Sequence, residues 1–110
     1  MEPFEITTTQ EQRYYDQRLD LDSGRRKALL DTKPLILTRQ EYDLLALLIQ
    51  NAGELVARET LLLRVWGYGN QIRTRTLDVH IRRLRTKIET DPANPRHILT
   101  VRGMGYKLAT

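Results

Sequence analysis

Cysteine is absent from the 110 residues, which removes disulfides, Cys-based zinc sites and thiol catalysis together. Long hydrophobic runs are missing too. The longest, Leu44 to Ile49, is far shorter than the ~20 residues a membrane span requires. The opening MEPFEITTTQ lacks a basic start followed by an apolar core, so it does not read as a secretion signal. A cytoplasmic protein without a membrane partner is expected. The two histidines, His80 and His97, lie near no candidate nucleophile, and two isolated histidines make a poor metal site. No glycine loop suited to cradling a phosphate is present. These absences argue against an enzyme, a metal and a cofactor. A core is not lacking: 40% hydrophobic and 29% charged residues are a globular balance, enough for one domain.

Acidic charge is scarce in one half. Between Arg64 and Lys107 ten Lys/Arg face Asp78, Glu89 and Asp91, a net +7 that leaves −3 for the rest of a +4 chain. Such a split makes a positive face that attracts a polyanion. A merely solvated surface would interleave more acids.

Residues 1–18 form a separate N-terminal segment or linker remnant. Phe4 to Thr9 is β-branched enough for a strand, and Gln10 to Arg18 reads as linker or loop. The domain proper runs from 19 to 110. Leu19 and Leu21 alternate with Asp20 and Asp22, Lys27 to Leu30 follows, Asp31 to Pro34 is turn chemistry, and Leu35 to Leu37 makes a third strand. An antiparallel meander results. Thr38 and Glu41 then fit a capping box for a helix from about Arg39 to Asn51, with Gly53 as its left-handed stop. Its apolar residues cover most of its circumference, as expected of a central core helix. A short helix over Arg58 to Trp66 buries Leu61, Leu62, Val65 and Trp66. A third begins near Arg73–Arg75 and closes at Asp91-Pro92. His97 to Val101 and Tyr106 to Ala109 form a hairpin, with Gly103 and Gly105 expected to supply positive φ at its turn.

The third helix carries six Lys/Arg across RTRTLDVHIRRLRTKIE. On a wheel, Leu77, Ile81, Leu84 and Ile88 form a seam toward the core. Arg75, Thr76, Val79, Arg83 and Thr86 lie opposite, with Arg82 at one edge and His80 and Lys87 at the other. Arginines beside small residues and an exposed valine suit the major groove of DNA. Arginine binds guanine O6 and N7, and Val or a Thr methyl packs on a thymine methyl. Flanking arginines reach phosphates. Three helices and a glycine-tipped hairpin make a winged helix-turn-helix of the α+β class, with the third helix as reader. Arg102 at the tip would reach a neighbouring minor groove.

The segments LTRQEYDLLALLIQNAG (37–53), RVWGY (64–68), RTLDVHIRRLRTKIE (75–89) and TVRGMGYKL (100–108) resemble the DNA-binding effector domain of OmpR/PhoB-family bacterial response regulators, transcription regulators of two-component phosphorelays. The resemblance covers roughly residues 19–109. It implies an N-terminal antiparallel sheet, three helices and a C-terminal wing. It assigns base reading to Thr76, Val79 and Arg83, phosphate contacts to Arg75, His80, Arg82, Arg85, Thr100 and Tyr106, and the minor groove to Arg102. Trp66 would lie near the DNA backbone while also packing in the core. The wheel sets Arg85 nearer the core, from which its long stem can snorkel. The loop Gly69, Asn70, Gln71, Ile72 and Arg73 would face RNA polymerase, and two copies would bind direct repeats head to tail.

Three departures stand out. Family members carry a receiver domain ahead of this unit, whereas eighteen residues precede Leu19 here, so either an excised effector domain or a stand-alone protein is expected. Ala57 occupies the second helix's cap position, where Ser or Thr would serve. The 69–74 loop lacks the acids common there. A winged helix that binds protein would show a less basic outer face, and duplex RNA excludes a helix from its narrow major groove. Double-stranded DNA is therefore the expected partner.

Overall fold

The alternation at Leu19 and Leu21 sets the first layer. In the computed structural model, which describes residues 11–14, 18–22, 24–67 and 74–109, both leucines are buried while Asp20 and Asp22 stay partly exposed. Their strand, β2 (Leu19–Asp22), lies in an antiparallel meander ordered β1 (Glu11–Tyr14), β2, β3 (Lys27–Leu30), β4 (Lys33–Leu35). Register brings Leu21 opposite Ala28 and Ala28 opposite Leu35, so one face is apolar and packs on the first helix.

Two expectations need correction here. Residues 11–14, read as linker or loop, are a strand paired with β2 from Glu11↔Asp22 to Tyr14↔Leu19. An edge strand needs only backbone partners, so its residues carry no obligatory pattern. The strand expected at Phe4 to Thr9 falls outside the described residues. The strand expected at Leu35–Leu37 is Lys33–Leu35 instead, because the turn closes on two residues. Asp31 and Thr32 take φ of 53° and 66°, the positive values a mirror-image hairpin turn demands. Arg18 clamps this turn, donating Nε and Nη2 to the two Asp31 carboxylate oxygens at 2.7 Å each, and those bonds hold the Asp31 carboxyl below its ordinary value. Pro34 is tolerated because β4 is an edge.

Helix α1 (Arg39–Gln50) starts with the expected capping box. The Glu41 amide donates to Thr38 Oγ1 at 3.2 Å, and the Thr38 amide donates to Glu41 Oε1 at 3.0 Å. Tyr42, Leu44, Leu45, Leu47, Leu48 and Ile49 are buried, and Gly53 beyond its end takes φ 86°. Helix α2 (Arg58–Trp66) buries Leu61 and half-buries Leu62, Val65 and Trp66. Its cap position, Ala57, makes no side-chain bond. Its first amide, on Arg58, instead donates to Met104 O at 3.1 Å. Helix α3 (Thr74–Ile88) lays Leu77, Ile81, Leu84 and Ile88 into the core.

The C-terminal hairpin formed as expected, but a third strand beside it escaped the sequence. Val56–Ala57 forms a short strand, β5, beside the hairpin of β6 (Ile98–Val101) and β7 (Gly105–Leu108), in the order β5-β7-β6. Gly105 therefore has another role than expected. Gly103 does take a positive φ, 75°, but Gly105 does not. A Cβ on Gly105 would sit 2.1 Å from Val56 O, so the bare backbone is what lets β5 approach.

Glu41 also joins α1 to α3. It is 1% exposed and accepts from Lys87 Nζ at 2.5 Å. Burial opposes its ionisation, but the bonds from Lys87 and the Thr38 amide outweigh burial, and the carboxyl lies below its ordinary 4.5. A depressed value means the ionised group stabilises the fold above pH 4.5, and the benefit disappears as pH falls through the lower folded value. Glu41→Gln should cost about 1–2 kcal/mol at pH 7. In urea melts from pH 7 to 3, its deficit against the parent chain should shrink below pH 4.5. A deficit constant with pH would show that the charge contributes nothing.

Candidate nucleic-acid interface

Burial of the α3 seam aims the opposite side outward. Arg75, Val79, Arg82, Arg83 and Thr86 are exposed and Thr76 is half-buried. Val79, 36% exposed, is an apolar side chain on an otherwise charged surface. Thr86 donates back to Arg82 O at 3.0 Å. His80 is half-buried. Its Nδ1 lies 2.8 Å from Thr76 O, and its ring meets Trp66 edge to face at 5.0 Å and 81°. A carbonyl only accepts, so Nδ1 is the donor in this contact. Trp66 thus packs inward while touching the edge of the outer face.

Three basic side chains near this face, two of them within the Arg64–Lys107 count, are engaged within the domain. Lys87 is bonded to Glu41. Arg58 donates through Nη2 to Asp78 Oδ1 at 2.7 Å, which raises its already high pKa. Arg85 reaches the wing, with Nε and Nη2 donating to Ile98 O at 3.1 and 2.8 Å and Nη2 also to Thr100 Oγ1 at 2.8 Å. Burial lowers its pKa, though an arginine stays charged. Its guanidinium also lies over the Tyr106 ring, 5.6 Å from the centroid.

On the wing, Thr100 is exposed, Tyr106 is buried at 5% exposure, and Arg102 is exposed in the turn beside Gly103 and the exposed Met104. The Tyr106 hydroxyl donates to Asp78 Oδ1 at 2.5 Å. Burial first, and that bond second, push its pKa up. The loop residues Gly69, Asn70, Gln71, Ile72 and Arg73 lie outside the described residues.

Two site residues went unnoticed in the sequence. Asp78 is the lone acid within the basic helix, a signal that could have drawn notice. Glu89 is buried just past α3, where its carboxylate accepts from the amides of Arg96 at 2.9 Å, His97 at 3.2 and 3.1 Å, and Ile98 at 2.8 Å. It fastens the start of β6 to the end of the helix, and no local pattern announces that. Among the described residues, no three acids or histidines gather where they could hold a metal, and no helix is long and apolar enough to cross a membrane.

The chain is similar to known proteins in both sequence and fold. The family described as "Transcriptional regulatory protein, C terminal" matches residues 32–108. The sensory transduction protein RegX3 of Mycolicibacterium smegmatis is 49% identical over 88 residues, which are 80% of this chain and 39% of RegX3. The chain spans about two fifths of the length of the curated relatives it matches. Among solved structures, response regulator DrrB of Thermotoga maritima, an OmpR/PhoB homolog, superposes with a TM-score of 0.79 at 35% identity over 88% of this chain and 44% of DrrB. The DNA-binding domain of RstA from Klebsiella pneumoniae, solved in complex with the RstA box, gives a TM-score of 0.75 at 33% identity, covering 84% of this chain and 91% of that domain.

Proposed function

Because the chain belongs to the family of C-terminal domains of transcriptional regulatory proteins, we propose that it binds double-stranded DNA sequence-specifically as the effector domain of a cytoplasmic two-component response regulator. Helix α3 enters the major groove and the wing meets the adjacent minor groove. The carrying observation is the outer face of α3, where exposed arginines surround the exposed Val79. RstA's DNA-binding domain, solved on its own DNA box, supports the same reading.

Thr76, Val79 and Arg83 read base edges, and Arg75, Arg82 and, with both ring nitrogens carrying a proton, His80 hold phosphates. Thr100 accepts from Arg85, which leaves its hydroxyl proton to donate to a phosphate. Arg85 contributes through Nη1, its other donors being held by the wing. Tyr106 reaches a phosphate only by releasing Asp78. Arg102 enters the minor groove. Two copies bind direct repeats head to tail, and the 69–73 loop meets RNA polymerase; footprint length on a natural site tests the first.

The test begins with a preferred duplex selected from a random library, followed by competition against singly mutated sites. Arg83→Ala should weaken binding by ~1–3 kcal/mol and flatten preference at one position, whereas Arg75→Ala, which removes a phosphate partner, should weaken all sites alike. Undiminished preference after Arg83→Ala would remove it from the reading role.

A further inference from the structure

Asp78 is out of place by charge. It sits on the exposed side of a helix offered to phosphates, where a carboxylate repels the partner. Stability does not explain it, because a half-exposed ion pair contributes little, and the Asp78 side chain is 47% exposed. Its geometry suggests another use. One atom, Oδ1, accepts from Tyr106 of β7 at 2.5 Å and from Arg58 of α2 at 2.7 Å. Three elements meet there: the reading helix, the helix before it and the central strand of the wing sheet.

The contacts continue outward from that atom. Arg58 and Arg85 both lie over the Tyr106 ring, 5.7 and 5.6 Å from its centroid. Arg85 then grips Ile98 and Thr100 on β6. Helix and wing are thereby held at one angle by charge-assisted bonds, which are short and directional.

We propose that Asp78 is a positioning residue that sets the wing against α3, so that base reading by the helix and groove reading by Arg102 are coupled. This rests on the DNA-binding reading above. In return for local repulsion, the carboxylate delivers Arg102 already oriented, and preorganisation lowers the ordering cost of binding.

The two roles of Asp78 predict opposite signs. If it acts only as a charge, Asp78→Asn removes repulsion, so affinity should rise. If it positions the wing, Asp78→Asn should bind about tenfold more weakly despite losing a negative charge, a typical coupling within one network. Preference for A·T over G·C at the wing position should fade, and adding Arg102→Ala to the variant should cost little more. Tyr106→Phe keeps the ring and the net charge yet loses the donor, so flank preference should fade in it too; a lost phosphate contact alone would weaken all flanks alike, so the preference decides the matter if Asp78→Asn fails to fold. Unchanged or tighter binding with flank preference intact, in a folded variant, overturns the proposal.

A second readout needs no DNA. Residual dipolar couplings of the Arg102, Gly103 and Met104 amides, measured against those of α3, should report one fixed orientation in the parent chain and an averaged one in Tyr106→Phe. Identical couplings in the two would also overturn the proposal. If the parent chain binds no duplex at all, the function assigned above fails, while these couplings still decide whether Asp78 positions the wing.

Discussion

Raising salt from 50 to 200 mM should weaken binding of a single domain to duplex DNA roughly a hundredfold. The slope of log affinity against log salt is about −0.9 per phosphate neutralised, so the size of the drop depends on which cations count. The region from Arg64 to Lys107 holds ten; if all acted, the drop would be on the order of 10⁵. Of these, Lys87 is bonded to Glu41 and Arg85 to the wing. The exposed arginines on the outer face and wing tip are Arg75, Arg82, Arg83 and Arg102, and if each displaces one counterion from the DNA the slope is near −3.6, which gives the smaller figure. Two copies on adjoining repeats would double the slope. Anisotropy of a labelled duplex across a salt series reads it directly. Near salt-independent binding would contradict an electrostatic interface.

Gly105→Ala should be among the most damaging single substitutions in the domain. The added methyl would lie 2.1 Å from Val56 O and 3.0 Å from Ala57 Cα. Both are backbone atoms, which cannot swing aside as a side-chain tip would. Relief requires β5 to leave β7, which breaks the Val56↔Tyr106 and Ala57↔Gly105 pairing and draws Met104 O from the Arg58 amide. Overpacking of this kind costs ~1–3 kcal/mol or more, a large share of a small domain's stability. Gly103→Ala is the informative comparison. Nothing lies within 4 Å of a Cβ there, so only its positive φ, about 1 kcal/mol, is at stake. Chemical denaturation should rank the two in that order, and equal losses would mean that close approach to β5 does not matter.

Local rules made much of this fold legible. The Thr38–Glu41 box and the four-residue seam of α3 are short-range patterns whose meaning does not depend on distant chain, and the structure places them as read. The exposed side of α3, including Val79, followed from the same seam. Long-range partners were not legible. Residues 11–14 pair by backbone alone, and two-residue β5 is too brief to show a period. Gly105 looked like a turn glycine because its real neighbour, Val56, is half the chain away. The turn at Asp31 to Pro34 was legible, but its two-residue, positive-φ form was not, because neither Asp31 nor Thr32 is glycine. At the interface, sequence counted charges and could not tell which were already engaged. Arg58, Arg85 and Lys87 look in composition like Arg75 and Arg82.

The strand order β5-β7-β6 also bears on how the chain is made. The middle strand of the second sheet is the last to be synthesised, and Leu108 at its end is fully buried. β5 emerges from the ribosome long before the hairpin strand that pairs with it, and the core waits for Leu108. The β6–β7 hairpin is local, but its pairing with β5 is not. Closure is therefore a late event, and until it occurs two strand edges stand open to any chaperone or neighbouring polypeptide that pairs with them.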